Sequence, residues 1–198
     1  MARPRKLPEG EALERALKVF WERGFDRTSI ADLSEAIGVG PSSLYNAFGN
    51  KEAIYRRALD RYMESHGAFV LRVLGGEQSA EDALRDLLRS AVKLYTSPGL
   101  PSGCAMLQSG GASSPDGSAA GAITFELKQG LEKGVRKFLD ARLKSGESLA
   151  APPRVLAKFV VATLRGLSQL AVDGVSQRDL LRVADHAAQS CVPGSGEA

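Results

Sequence analysis

The stretch from Thr28 to Lys51, TSIADLSEAIGVGPSSLYNAFGNK, constrains the fold more than any other part of the chain. It reads as two short helices joined by a tight turn. Thr28 and Ser29 offer hydroxyls that can accept from free backbone N–H groups at a helix start, and Asp32 follows Ser29 at capping-box spacing. Ile30, Leu33 and Ile37 recur three and four residues apart and give one apolar stripe. Gly38 tolerates the left-handed conformation that ends a helix in a sharp corner, and Val39 is the apolar plug of that corner. Pro41 suits the first turn of the next helix, where its missing N–H has no partner to lose.

On that second helix Leu44 and Phe48 point back at the first. Ser42, Ser43, Tyr45 and Asn46 are left facing outward, small, hydroxylated or amide-bearing and none acidic. This is the pattern of a helix-turn-helix with a polar recognition face. Among these residues Ser43 and Asn46 are the best base readers, since an Asn amide makes a bidentate pair with adenine. Thr28, Tyr45 and Lys51 suit phosphate clamping, with Lys51 at a helix N-terminus already favourable to anions. A half-buried Tyr45 and a merely solvated Lys51 are the plain alternatives.

The runs FWERGFDRTSI and LSEAIGVGPSSLYNAFGNKEAIY resemble the N-terminal domain of the TetR family of bacterial transcriptional regulators. Gly24, Thr28–Ser29–Ile30, Gly38–Val39, Leu44–Tyr45, Phe48 and Lys51 carry the resemblance, which is close over residues 10 to 60. Two positions depart from it. Ala47 stands where the family often carries histidine or an aromatic residue, and Ser34 where alanine usually packs against the second helix. The resemblance implies that Ser29, Gly40 and Pro41 also lie on the DNA side.

Composition sets wider bounds. At 198 residues, with 43% hydrophobic and 25% charged, the chain belongs with soluble globular proteins. No apolar run comes near the ~20 residues of a membrane span, and no secretion signal is visible. Cys104 and Cys191 are too few for a disulfide framework and fit a reducing cytoplasm. A net charge of +3 does not by itself argue for nucleic acid. Its placement is more telling, because Arg3, Arg5 and Lys6 face only Glu9 in the first ten residues. Such a tail is a solubilising end, or an arm on phosphates or in the minor groove; beside a helix-turn-helix the arm is the preferred reading.

The whole chain reads as helical, so the expected fold is all-α. A three-helix DNA-binding domain with its basic arm (1–50) precedes a helical effector-binding and dimerisation domain (51–198). An amphipathic first helix carries Leu13, Ala16, Leu17, Phe20 and Trp21 to Gly24. Asn50 caps a connecting helix over 51–74, stopped by Gly75–Gly76. Further helices are expected over 78–97, 119–145, 153–173 and 177–190. The Gly- and Ser-rich segment 98–121 is a loop with an apolar island, Cys104 to Leu107; it lacks the Gly-Lys-Ser/Thr ending of a phosphate loop.

One such module carries few positive charges, so two copies on a pseudo-palindrome are expected. Val155, Phe159, Ala162, Gly166, Leu167 and Leu170, with Leu180, Leu181, Ala184 and Ala188, are the candidate dimer interface, since family members join through their last two helices. Packing of both helices into a monomer core is the alternative. Candidate effector-pocket walls are Phe69, Tyr95, Cys104, Met106, Gln108, Phe125 and Phe159, apolar with a few polar handles.

The resulting reading is a homodimeric, small-molecule-responsive regulator bound to a double-stranded DNA operator, a repressor by preference, with no metal, no cofactor and no membrane partner. A thiol or electrophile sensor at Cys104 on the same scaffold is the alternative. A helical enzyme is the rival class, but His66 and His186 lie far apart and no nucleophile elbow, HExxH or metal-spaced cluster is present. A helix-turn-helix used only for protein contacts is the third class.

Overall fold

A computed structural model of the chain describes residues 8–108 and 119–193. Arg3, Arg5 and Lys6 lie outside the described residues.

Helix α1, Glu9–Arg23, buries Ala12, Leu13, Ala16, Leu17, Phe20 and Trp21, which is one face at helical spacing. It lies across α2 (Ile30–Ile37) and α4 (Lys51–Ser65), with α3 (Pro41–Phe48) against α2. Leu33 and Leu44 are fully buried where α2 and α3 meet the rest of this head. Each contributes roughly 2 kcal/mol through the apolar area it removes from water.

The body comprises α5 (Ala68–Leu74), α6 (Ala80–Tyr95), α7 (Ala105–Gln108), α8 (Ala119–Lys144), α9 (Pro153–Val172) and α10 (Gln177–Gln189). Its centre is α6, whose Leu84, Leu87, Leu88 and Ala91 are inaccessible to solvent and which packs against α5, α9 and α10. Among the described residues there is no strand, so the all-α expectation matches. A single apolar cluster runs from Ala12 in α1 to Cys191 after α10, so head and body share one core through Tyr55, Leu59 and Tyr62.

Two expectations need correction. The connecting helix does not run unbroken to Leu74. It ends at Ser65, where the N–H groups of His66 and Gly67 both donate to the Tyr62 carbonyl at 2.9 Å, and α5 starts at Ala68. Gly67 permits the tight corner, because a Cβ there would sit 3.0 Å from the Met63 backbone. The second correction concerns α9. Its 20 residues are long and apolar enough to cross a membrane by length and composition alone. In the fold its apolar residues divide between the core, facing α6, α8 and α10, and an exposed stripe described below.

Candidate nucleic-acid interface and effector cavity

Helix α2 is fixed at both ends by side chains and backbone. Ser29 Oγ accepts the Asp32 N–H at 3.1 Å and the Asp32 carboxylate accepts the Ser29 N–H at 2.7 Å, a complete capping box. The Ser29 hydroxyl, which donates to the Asp32 carboxylate at 2.6 Å, then the Ser29 N–H, and then the Arg23 guanidinium hold that carboxyl below its ordinary value. Gly38, at φ 82° and ψ 32°, ends α2 in the left-handed conformation; its N–H and that of Val39 both donate to the Ser34 carbonyl. Arg15 of α1 donates to the Ile37 carbonyl at 3.4 Å, covering an end that the turn leaves open.

Helix α3 starts at Pro41 with Gly40 as its N-cap. Ser42, Ser43, Tyr45 and Asn46 are all exposed, and Tyr45 lies outside the core cluster, so it is not the core aromatic of the plain alternative. Gly40 and Pro41 are exposed beside them. Arg57 of α4 braces the helix from behind: its guanidinium lies 4.9 Å from the Phe48 ring centre, donates to the Ala47 carbonyl at 3.4 Å, and pairs with Glu9 of α1. No sequence signal marks Arg15 or Arg57, because each brace joins residues far apart in the chain.

Two expected contacts change role. Thr28 is 1% exposed and its hydroxyl donates to the Gly24 carbonyl at 2.7 Å, so it ties the α1–α2 corner and does not present a hydroxyl to phosphate. The Ser29 hydroxyl is committed to the cap. Lys51 sits in the first turn of α4, where Asn50 Oδ1 accepts the Ala53 N–H at 2.8 Å; its Nζ lies 4.1 Å from the Phe25 ring centre.

In the body, a cavity lies beneath the α4–α5 break. Tyr62, Met63 and Gly67 reach it from above, with Phe69 and Val70 of α5. Leu87, Leu94 and Tyr95 of α6 form its floor, and Cys104, Met106, Leu131 and Leu164 close it. Phe69, Tyr95, Cys104 and Met106 of the expected pocket are therefore brought together. Gln108 is not among them, because its amide is turned to Ser168, 3.3 Å from Oγ. Phe125 and Phe159 are each 40% exposed on outer faces of α8 and α9. Sequence reasoning missed Tyr62, whose hydroxyl donates to Cys104 Sγ at 3.3 Å and whose ring meets Trp21 edge-on.

The thiols are not built to react. Burial raises the Cys104 thiol above its ordinary value, with Tyr62 and backbone N–H groups offsetting only part of the shift. Burial pushes Cys191 up to about 11. A sensor at Cys104 needs an accessible thiolate, which this environment disfavours. Among the described residues no group of His, Cys, Asp and Glu could hold a metal.

The expected dimer residues divide in two. Leu167, Leu180, Ala184 and Ala188 are buried within the single chain, so they belong to its core and not to a subunit contact; Leu181 is half-buried. Val155, Phe159, Ala162, Gly166 and Leu170 form one exposed stripe along α9 at spacings of three and four, and Val183 on α10 is exposed as well.

Comparison with known proteins places this geometry. The profile described as "Bacterial regulatory proteins, tetR family" matches residues 12–58. The repressor ComR of Escherichia coli strain K12 is 35% identical over 188 residues, 92% of this chain and 88% of ComR. The chain belongs to the TetR family. BdcR, a repressor from the same strain, is 27% identical over 190 residues, covering 95% of this chain and 91% of BdcR. A solved structure of a cysteine-substituted TetR-family regulator, CifR, complexed with 26-base-pair operator DNA, is 33% identical; it covers 96% of this chain and 100% of its own, with a TM-score of 0.88. Like other TetR-family chains, this one is a transcriptional regulator rather than an enzyme.

Proposed function

We propose that this protein is a homodimeric repressor that occupies a pseudo-palindromic operator and leaves it when a small molecule binds the body. The observation that carries the reading is the exposed Ser42–Ser43–Tyr45–Asn46 face on a helix braced by Arg57. An interaction module that avoids DNA has no need of four neighbouring hydrogen-bonding side chains on so short a helix. Ser43 and Asn46 read base edges, while Tyr45 and Lys51 hold phosphates. Likeness to an operator-bound CifR over nearly the whole chain supports a conformation ready for DNA.

Dimerisation uses the α9 stripe. Ala162 and Gly166 at its middle let two helices approach closely, and Val155, Phe159 and Leu170 supply apolar area. Two reading helices then meet successive major grooves about 34 Å apart. The protein acts in the cytoplasm, where its DNA is. Effector binding favours a state in which α4 re-aims the reading heads, and it can do so only by binding that state more tightly.

Footprinting on a selected operator tests this. Two protected half-sites one helical turn apart, saturated by a pair of chains, support the reading. A single unrepeated site bound by one chain contradicts it.

A further inference from the structure

The cavity under the α4–α5 break holds about 30 Å³ of space, room for one or two waters. Sites for drug-sized ligands usually enclose ~300 Å³ or more, so an occupant must be small or must push the walls apart. We propose that this cavity takes a small, uncharged, largely apolar molecule bearing one hydrogen-bonding oxygen, that Tyr62 binds that oxygen, and that Tyr62 reports it to the reading head. The inference rests on the effector-responsive reading above and names the ligand class.

The wall chemistry selects the class. None of the described lining residues is charged. A carboxylate or an ammonium would lose its hydration there, and no described lining residue carries a counter-charge, a cost that disfavours it. Aromatic rings from Phe69 and Tyr95 and sulfurs from Met63 and Met106 suit a flat or compact hydrocarbon. The one polar patch is the Tyr62 hydroxyl with Cys104 and Tyr95. At present Tyr62 donates to a thiol sulfur, a weak acceptor that a ligand oxygen would outcompete. Burial raises the phenols of Tyr62 and Tyr95 well above their ordinary value, so both stay protonated donors.

The same residues give a route in and a route out. A groove of about 480 Å³ between α5 and α8 shares Met63, Val70 and Leu131 with the cavity, and exposed Leu71 lies at its mouth. Widening the cavity moves α5, and the corner at His66–Gly67 is where α5 can yield. On the other side the Tyr62 ring meets Trp21 of α1 at 5.1 Å, nearly perpendicular, and both rings border His66, whose Nε2 lies 2.7 Å from Glu14 of α1. A shift of Tyr62 is therefore felt directly by the helix that underlies the turn.

Four probes of similar size separate the possibilities: benzyl alcohol, ethylbenzene, benzoate and benzylammonium. Calorimetry measures binding, and emission from Trp21, the sole tryptophan, reports the relay. Benzyl alcohol is expected to bind about five- to tenfold more tightly than ethylbenzene, the worth of one net hydrogen bond. Both charged probes are expected to be at least ~100-fold weaker. Tyr62→Phe keeps the ring and should bring benzyl alcohol down to the level of ethylbenzene. Were that variant unfolded, the wild-type series alone would decide. The proposal is overturned if no probe binds, if the alcohol has no advantage or keeps it in Tyr62→Phe, if bound alcohol leaves Trp21 emission unchanged, or if a charged probe binds as well. Tight benzoate would assign the site to Lys128 of α8, a half-buried amine near Cys104. Operator affinity without probe scores the regulator reading separately. Specific DNA binding with no probe bound overturns the ligand class alone.

Discussion

Arg56 of α4 and Glu126 of α8 form a two-pronged ion pair, with nitrogen–oxygen distances of 2.6 and 3.2 Å. The pair ties the helix that carries the reading head to the body beside the groove leading to the cavity. Glu126 is exposed and Arg56 partly so, so the pair contributes little to overall stability, and its value lies in setting the angle of α4. Glu126→Gln is expected to lower operator affinity a few-fold with the melting temperature nearly unchanged. The Arg56 guanidinium holds the Glu126 carboxyl below its ordinary value. The tie is therefore intact above the unfolded carboxyl value near ~4.3 and is lost as pH falls through the lower folded value. DNA titrations and melting curves of the variant check this; an unchanged affinity would mean that the tie does not set α4.

Ser34 offers a gain in stability. Its hydroxyl is buried between the turn helices and finds no hydrogen-bond partner among the described residues. Ser34→Ala removes that cost, and an increase of roughly 0.5–1 kcal/mol, or about 1–4 °C in melting temperature, is expected. A lower melting temperature would show that the hydroxyl is satisfied in solution.

Neither thiol should react in the folded protein. Cys104 and Cys191 are buried, with both thiols raised by burial. Iodoacetamide near pH 7.5 is expected to leave both unmodified over the time that labels them fully in denaturant, as mass spectrometry would read. Rapid native labelling of Cys104 would restore the sensor alternative.

Phe159→Glu places a charge within the exposed α9 stripe. Because the side chain lies outside the core, the fold should survive while the dimer separates. Light scattering should find a monomer with an unchanged helical circular dichroism spectrum, and operator affinity should fall at least ~100-fold as the second half-site contact is lost. A dimer of undiminished affinity would place the subunit contact elsewhere.

How much of this was legible in the sequence depends on whether a signal was local. The turn was, since Ser29, Asp32, Gly38 and Pro41 each act within a few residues. So was the outward face of α3, because Leu44 and Phe48 fix which way that helix turns. The break after Ser65 was not, since apolar residues continue at helical spacing through Phe69 to Leu74 and a single glycine is tolerated inside a helix. Thr28 misled because the same hydroxyl serves a phosphate or a backbone carbonyl. On α9 and α10 the apolar positions surround the helix, and only the tertiary fold decides that Leu180 and Ala184 are buried while Phe159 meets solvent. Tyr62 escaped notice as a cavity residue because its partners, Trp21 and Cys104, lie about forty residues away on either side.

Selection of bound duplexes from a random DNA pool, run in parallel for wild type and a Tyr45→Ala/Asn46→Ala variant, tests the central claim most directly. Both side chains are exposed, so the variant should fold as wild type does. The account predicts that wild type enriches a pseudo-palindrome with half-sites one helical turn apart, and that the variant enriches none while keeping weak, salt-sensitive binding. Enrichment of the same sequence by both proteins, or of no sequence by either, would contradict it.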